Sequence, residues 1–369
     1  MTNVGKKKKR RLRKQVKYAL VGIAAIVLLL LVFTVFSPLS QRRKITALGY
    51  SKDSAKRIQE LKITKTVLEK DYSSALDTNL SRGIDVTKHF DLYYVSTDVN
   101  DDIVLLNDVL QKKGYAESDL LKGFAVLKFK EMTPLLVFNN VTSMDDYIQD
   151  VLSHRAIMNT FVSGTYTKFY EGAEEVADPS ATDVLLNKYS LVPSTYVPQL
   201  VELSRQYASE DQYLREEVYD AFREMSTALR DSGVEGIKGV YITSAYRSYD
   251  TQQSIYNRYL NSKGEEYADT YSARPGSSEH QLGLSFDVTA TNKEKLDFAE
   301  TEEYAWLVEN CYKYGFILRY PEGAEAITGY SFESWHYRYV GTELAIRIHN
   351  SGLTFDEYYE LYLRDYSAN

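Results

Sequence analysis

The spacing of apolar residues changes character three times along the chain. Tyr18 to Phe36 is an uncharged run of 19 residues, YALVGIAAIVLLLLVFTVF. As a helix it spans about 28 Å, close to the ~30 Å hydrocarbon core of a bilayer. Across 37–170 apolar residues recur at helical spacing. Two stretches there look alike, LGYSKDSAKRIQEL from Leu48 and KGYAESDLLKGFAVL from Lys113. Each has Gly-Tyr, a position suited to a helix N-cap, then spaced apolar residues, as a duplicated helical hairpin would. Residues 171–183, EGAEEVADPSATD, are acidic, small and Pro-containing, the composition of a linker.

From residue 184 short strands and amphipathic helices interleave. Val184–Pro193 is strand-like. Arg215–Arg230 places Val218, Phe222, Met225 and Leu229 on one helical face. A strand over Gly239–Ser244 precedes a helix for which Asp250 is the candidate cap. Leu284–Thr289 alternates, with Leu284, Phe286 and Val288 facing one way and Ser285, Asp287 and Thr289 the other. A helix starts at Thr301 and ends at Gly315, and Phe316–Tyr320 is a further strand. This order predicts an α+β domain with a mainly antiparallel sheet over 184–349. Thr354 and Glu357 form a capping box for a last helix within 350–369.

Hydrophobic residues make up 44% and charged residues 26%, which excludes wholesale disorder. Charge is divided unevenly. Residues 1–44 hold 12 Lys/Arg and no acid, and the remainder holds 32 basic against 51 acidic residues. An acidic body excludes a nucleic-acid partner. Nine basic residues lie between Lys6 and Lys17, and three (Arg42, Arg43, Lys44) follow the apolar run. That bias predicts a cytoplasmic segment 1–17, a transmembrane helix 18–36, and everything after it outside, in a single-pass membrane anchor. A cleaved signal has a shorter apolar stretch and a small-residue cleavage site. One cysteine, Cys311, excludes an intrachain disulfide and a Cys-based zinc site.

Five histidines exist, and two stand in compact motifs with carboxylates: His280 and Asp287 (H-x6-D), and Glu333 and His336 (E-x-x-H). Taken singly, each motif also describes a satisfied loop histidine. Together, with Asp287 on a strand's polar face, they favour a metal. Catalytic zinc takes three N/O ligands and keeps one position open, a shell that His280, Asp287 and His336 fit. Glu333 then has the task of taking and passing on a water's proton. Arg247 follows a strand end close in sequence to these motifs. A guanidinium there matches a terminal carboxylate bidentately or, alternatively, bonds loop carbonyls. Gln252 and Ser278 are candidates for hydrogen bonds to a peptide, and equally for loop stabilisation. His89, His154 and His349 have no ligand pattern around them. Of Trp335 and Tyr337, which flank His336, at least one is expected in the core.

The stretches SAYRSYDTQ, YSARPGSSEHQLGLSFDV, KYGFILRYP, ITGY and ESWHYRYVG closely resemble the VanY-type D-alanyl-D-alanine carboxypeptidases, part of a wider group of zinc peptidases that includes lysostaphin and hedgehog-like domains. The resemblance covers about 184–349 and does not reach 1–170. It implies a zinc carboxypeptidase acting on peptidoglycan stem peptides, with His280, Asp287 and His336 as Zn2+ ligands, Glu333 as catalytic base and Arg247 on the substrate or the developing oxyanion. Leu282, Ser285 and Ser277 depart from frequent family residues, and none of these removes a ligand. Three alternatives stand beside removal of a terminal D-Ala: an LD-carboxypeptidase, an endopeptidase, and a wall-binding module without catalysis.

Overall fold

A computed structural model describes residues 16–18, 20–28, 37–97, 99–154, 166–209, 211–291 and 297–366. The apolar run at 18–36 is helical over its described residues, and residues 19 and 29–36 lie outside them. Among the described residues no helix is long and apolar enough to cross a membrane. Leu20, Val21, Ile23, Ile26 and Leu28 are all exposed.

The chain divides into two compact units, 1–104 and 105–369. The first holds short helices over Pro38–Ala47, Lys52–Glu60, Thr64–Leu68, Ser74–Ser81 and Leu92–Val95. Ile45, Ile58, Val67, Leu76 and Leu92 are fully buried in it. Ser51 caps its helix by accepting from the Ser54 amide at 3.1 Å. The two Gly-Tyr copies have matching backbone. Gly49 and Gly114 both follow a helix end with positive φ, +118° and +98°, and a new helix begins at Lys52 and at Glu117. The second copy lacks a side-chain cap at Ala116.

The second unit takes in 105–170 and the linker-like 171–183 along with the C-terminal region. Side chains across this stretch are bonded into the C-terminal region. Thr133 Oγ1 donates to Glu357 Oε1 at 2.7 Å, Lys113 Nζ pairs with Glu360 at 3.2 Å, and the Arg274 amide donates to the Tyr170 hydroxyl at 3.2 Å. Glu174–Glu175 within the expected linker forms a short parallel ladder with Ser190–Leu191. Those two residues are all the strand that Val184–Pro193 contains. The Asn187 amide donates to Ser190 Oγ, which donates in turn to the Leu185 carbonyl, turning the chain, while Val184, Leu185 and Leu186 are buried without a ladder.

The site is carried by a four-stranded sheet: β1 (Val240–Ser244), β2 (Ser285–Ala290), β3 (Phe316–Leu318) and β4 (His336–Tyr339), in the order β1-β2-β4-β3 and antiparallel throughout. Helix α1 (Glu216–Arg230) lays Val218, Phe222, Met225 and Leu229 on the face that Phe286 and Val288 present. Phe222 and Phe286 meet edge to face at 5.0 Å between ring centroids, a favoured aromatic geometry. Helix α2 (Tyr249–Lys263) follows β1. Its cap is Ser248, whose side chain accepts from the Thr251 amide, and not Asp250, which sits in the first turn. Ser is the shorter acceptor two positions earlier, and Asp250 in the first turn suits the helix dipole instead. Helix α3 is Glu265–Tyr271, and α4 (Glu302–Asn310) is capped by Thr301 as expected. The capping box of Thr354 and Glu357 is present.

Candidate metal centre and active site

β2 is the centre of the site. Alternation sends Leu284, Phe286 and Val288 into the core and leaves Asp287 on the other face. In the β2–β4 register Asp287 lies directly opposite His336, so the first residue of β4 is brought beside the acid by strand pairing alone. His280 comes from the 3-10 turn Glu279–Leu282 that leads into β2. That turn ends at Gly283, whose φ is +66° and where an added Cβ would lie 3.0 Å from Leu200. A side chain there would meet both backbone strain and packed neighbours.

The distances fit a small tetrahedral cation. Asp287 Oδ1 is 3.4 Å from His280 Nε2 and 3.0 Å from His336 Nδ1. One ligand atom from each of the three residues lies within 4.8 Å of the others. Zinc bonds of ~2.0–2.1 Å at tetrahedral angles place ligand atoms roughly 3.3 Å apart. The protonation chemistry agrees. His280 Nδ1 is 2.6 Å from the Ala245 carbonyl, which accepts a hydrogen bond from Nδ1–H and so leaves Nε2 with its lone pair. Burial, then Arg247, lowers the His280 pKa, favouring the neutral ring. Burial acts to raise Asp287, but both histidines outweigh it and hold its carboxyl well below the usual range. Burial also opposes the charged form of His336, yet Asp287 and Glu279 raise it to about 9. Without an ion His336 therefore holds a second proton on the Nδ1 that faces Asp287, the place a bound cation would take.

Glu333 lies in the loop before β4, its amide bonded to the Tyr320 carbonyl at 3.1 Å. Its Oε2 is 3.7 Å from His336 Nδ1. Burial pushes its carboxyl up to about 7, against the pull of His336. A carboxyl tuned near neutrality both takes and gives up a proton readily. It stands beside His336 in the same cleft without belonging to the candidate ligand cluster.

These residues share one cleft with a volume of about 220 Å³. Arg247, Ser278, Tyr259, Tyr271, Tyr330 and Trp335 complete its walls. Arg247 donates to Gln252 Oε1 at 2.7 Å and Ser244 Oγ at 2.9 Å, and it approaches Asp287 at 3.7 Å. Gln252 does not line the cleft. It is buried, with its amide nitrogen on Ser272 and the Ala273 carbonyl, so it holds Arg247 and the loop after α3. Ser278 does line it. Arg274 is taken up by Asp269 and Glu265 and stacks over Tyr170. Trp335 is 40% exposed on the cleft wall and Tyr337 is wholly buried, the division expected of the pair. His349 stacks on Tyr312, apart from the ligand cluster.

The sequence reading passed over Glu279, although it stands in the SSEHQ stretch beside a candidate ligand. It is fully buried and pairs with Arg319 at 2.8 Å and Arg338 at 3.0 Å. Tyr320 and Tyr330, also cleft residues, stand in the KYGFILRYP and ITGY stretches but were not singled out among the 32 tyrosines.

Comparison with known proteins points to one family. Residues 211–342 match the family model described as VanY, D-alanyl-D-alanine carboxypeptidase. The chain is 38% identical over 201 residues to a putative carboxypeptidase YodJ of Bacillus subtilis, covering 52% of this chain and 72% of that protein. It is 37% identical over 184 residues to a D-alanyl-D-alanine carboxypeptidase of Enterococcus faecalis, covering 47% of this chain and 64% of the relative. Among solved structures, the LdcB LD-carboxypeptidase is 37% identical with a TM-score of 0.47, covering 52% of this chain and 91% of its own. A Zn(II) complex of an E175A variant of the D,D-pentapeptidase VanY is 35% identical with a TM-score of 0.41, covering 48% and 98%.

Proposed function

This chain belongs to the VanY-type D-alanyl-D-alanine carboxypeptidase family, and on that premise we propose that it is a membrane-anchored zinc carboxypeptidase removing the terminal D-alanine of peptidoglycan stem peptides. The observation that carries this reading is the convergence of His280, Asp287 and His336 with Glu333 and Arg247 in one cleft. His280, Asp287 and His336 are the residues that would hold the ion. When bound, zinc supplies Lewis acidity that brings a water's pKa toward neutrality.

The chain's own residues divide the remaining work. Arg247, fixed by Gln252 and Ser244, offers a rigid cation for the substrate's terminal carboxylate. Glu333 takes a proton from the attacking water as its oxygen bonds to the scissile carbonyl carbon. It then returns that proton to the departing amine as the C–N bond breaks. Water is consumed and free D-alanine and the shortened peptide leave. Trp335 and the tyrosines of the wall limit solvent around the reacting bond.

The anchor reading rests on the uncharged run Tyr18–Phe36, on the nine-to-three excess of basic residues before it, and on the exposed apolar side chains at 20–28. It puts residues 1–17 in the cytoplasm and the catalytic unit on the wall side.

The test is incubation of the full chain, in detergent with zinc, with synthetic pentapeptide and tetrapeptide stems, followed by mass spectrometry. Loss of one alanine from the pentapeptide, abolished when its terminal carboxylate is amidated, is the expected result. Trimming of the tetrapeptide alone would make it an LD-carboxypeptidase. Cleavage that tolerates the amide would make it an endopeptidase. Two intact peptides in the presence of bound zinc would leave a wall-binding module.

A further inference from the structure

Glu279 and His336 face each other through atoms that have no other use. Glu279 Oε2 and His336 Nε2 are both buried and neither has a hydrogen-bond partner elsewhere. They lie 3.5 Å apart, and both side chains are at most 5% exposed. Glu279 immediately precedes the ligand His280 in the chain, yet its carboxylate turns to the other histidine, so one 3-10 turn touches two of the three candidate ligands. Its second oxygen is pinned. Oε1 accepts from Arg319 Nε at 2.8 Å and from Arg338 at 3.0 Å, and Arg319 is held in turn by Asp356 at 2.6 Å. Asp356 accepts from Asn187 at 2.8 Å. A carboxylate clamped on one oxygen by two guanidiniums has no freedom to turn its other oxygen away.

We infer that Glu279 is a positioning residue for the metal centre: its Oε2 accepts the Nε2–H of His336 and so fixes the tautomer that leaves Nδ1, the nitrogen beside Asp287, as a lone pair for the ion. Both ring nitrogens face a carboxylate, Nδ1 at 3.0 Å from Asp287 and Nε2 at 3.5 Å from Glu279; with an ion between Nδ1 and Asp287, the one proton of a neutral imidazole stays on Nε2, against Glu279. Partners of this kind orient a ligating ring and raise its basicity. On the other side of the cleft the Ala245 carbonyl stands in the same relation to His280. The arginines alone do not account for the arrangement, because they occupy Oε1 and leave Oε2 directed at the ring.

The inference rests on the zinc reading above, and its test separates the two. Zinc affinity of the full chain is measured by competition with a chromophoric chelator, for wild type and Glu279→Gln, with circular dichroism to report folding. The expected result is a folded variant whose zinc dissociation constant is weaker by roughly 10–100-fold, the usual worth of such a partner. Nitrogen NMR of the histidine-labelled wild-type zinc form gives a signature that needs no variant: His336 should carry its proton on Nε2. Unchanged zinc affinity in Glu279→Gln, even with lowered thermal stability, would make Glu279 a partner of the arginines only and overturn the inference. So would a proton found on Nδ1. A wild-type chain that binds no zinc would overturn the metal reading itself and this inference with it.

Discussion

Glu333 and His336 stand three residues apart, and their different environments assign them different tasks. His336 is clamped between acids and belongs to the candidate ligand set. Glu333 is buried beside that set, its carboxyl near neutrality. Glu333→Gln keeps size and hydrogen bonding and removes basicity. It should leave zinc content and folding unchanged and lower turnover by roughly 10²–10⁴-fold, read by metal analysis and peptide hydrolysis on one preparation. Loss of zinc would make Glu333 a ligand, and near-normal turnover would move the base elsewhere. His280→Ala and His336→Ala should both lose metal and hydrolysis together. A variant of either that kept stoichiometric zinc and full rate would falsify the ligand set.

β2 does two jobs at once, and the alternation of its side chains couples them. Phe286 is wholly buried among Phe222, Phe316 and Tyr337, while its neighbour Asp287 reaches the candidate metal centre. Phe286→Ala should cost about 3–5 kcal/mol in denaturant unfolding. A cost under 1 kcal/mol would mean that the aromatic cluster does not hold the strand in place. The C-terminal turn offers a pH test. Burial acts to raise the Glu360 carboxyl, but Lys113, Tyr366 and Arg364 outweigh it and hold it below the ordinary glutamate value. A depressed folded pKa means that its stabilisation is complete above the unfolded value of ~4.3 and is lost as pH falls through the folded one. Glu360→Gln should therefore lower the urea midpoint at pH 7 and matter progressively less below pH ~4. An equal loss at both pH values would assign the effect to packing instead of charge.

At the scale of the whole molecule, the anchored reading predicts a single pass with its N-terminus inside. Protease added to intact, wall-stripped cells should degrade the catalytic unit, and complete protection of that unit would contradict the topology. Much of the catalytic unit was legible beforehand because its signals are local. Period-two alternation marks Leu284–Thr289, a helical stripe marks Glu216–Arg230, and two compact His/acid motifs mark the centre. What local signals missed was whatever depends on a distant partner. Asp250 and Ser248 compete for the same cap, and backbone geometry chose Ser248. Val184–Leu186 reads as a strand because it is apolar, yet it is buried by packing without a ladder. The helical stretch 37–170 reads as separate from the C-terminal domain because the bonds of Thr133 and Lys113 to Glu357 and Glu360 span more than two hundred residues.

The sequence by itself determined the types of the candidate ligands, the spacing that puts Glu333 three residues before His336, and the apolar face that turns Asp287 away from the core. Those follow from side-chain chemistry and from the two-residue and 3.6-residue periods of the backbone. Only the tertiary structure decided that Asp287 pairs in register with His336, that Gln252 braces Arg247 instead of lining the cleft, and that Glu279 bridges two arginines and a ligand histidine. Strand register, burial and the choice among competing polar partners are properties of the packed chain. They arise when segments far apart in sequence exclude water from the same place, and no local pattern records which partner each buried polar group will find.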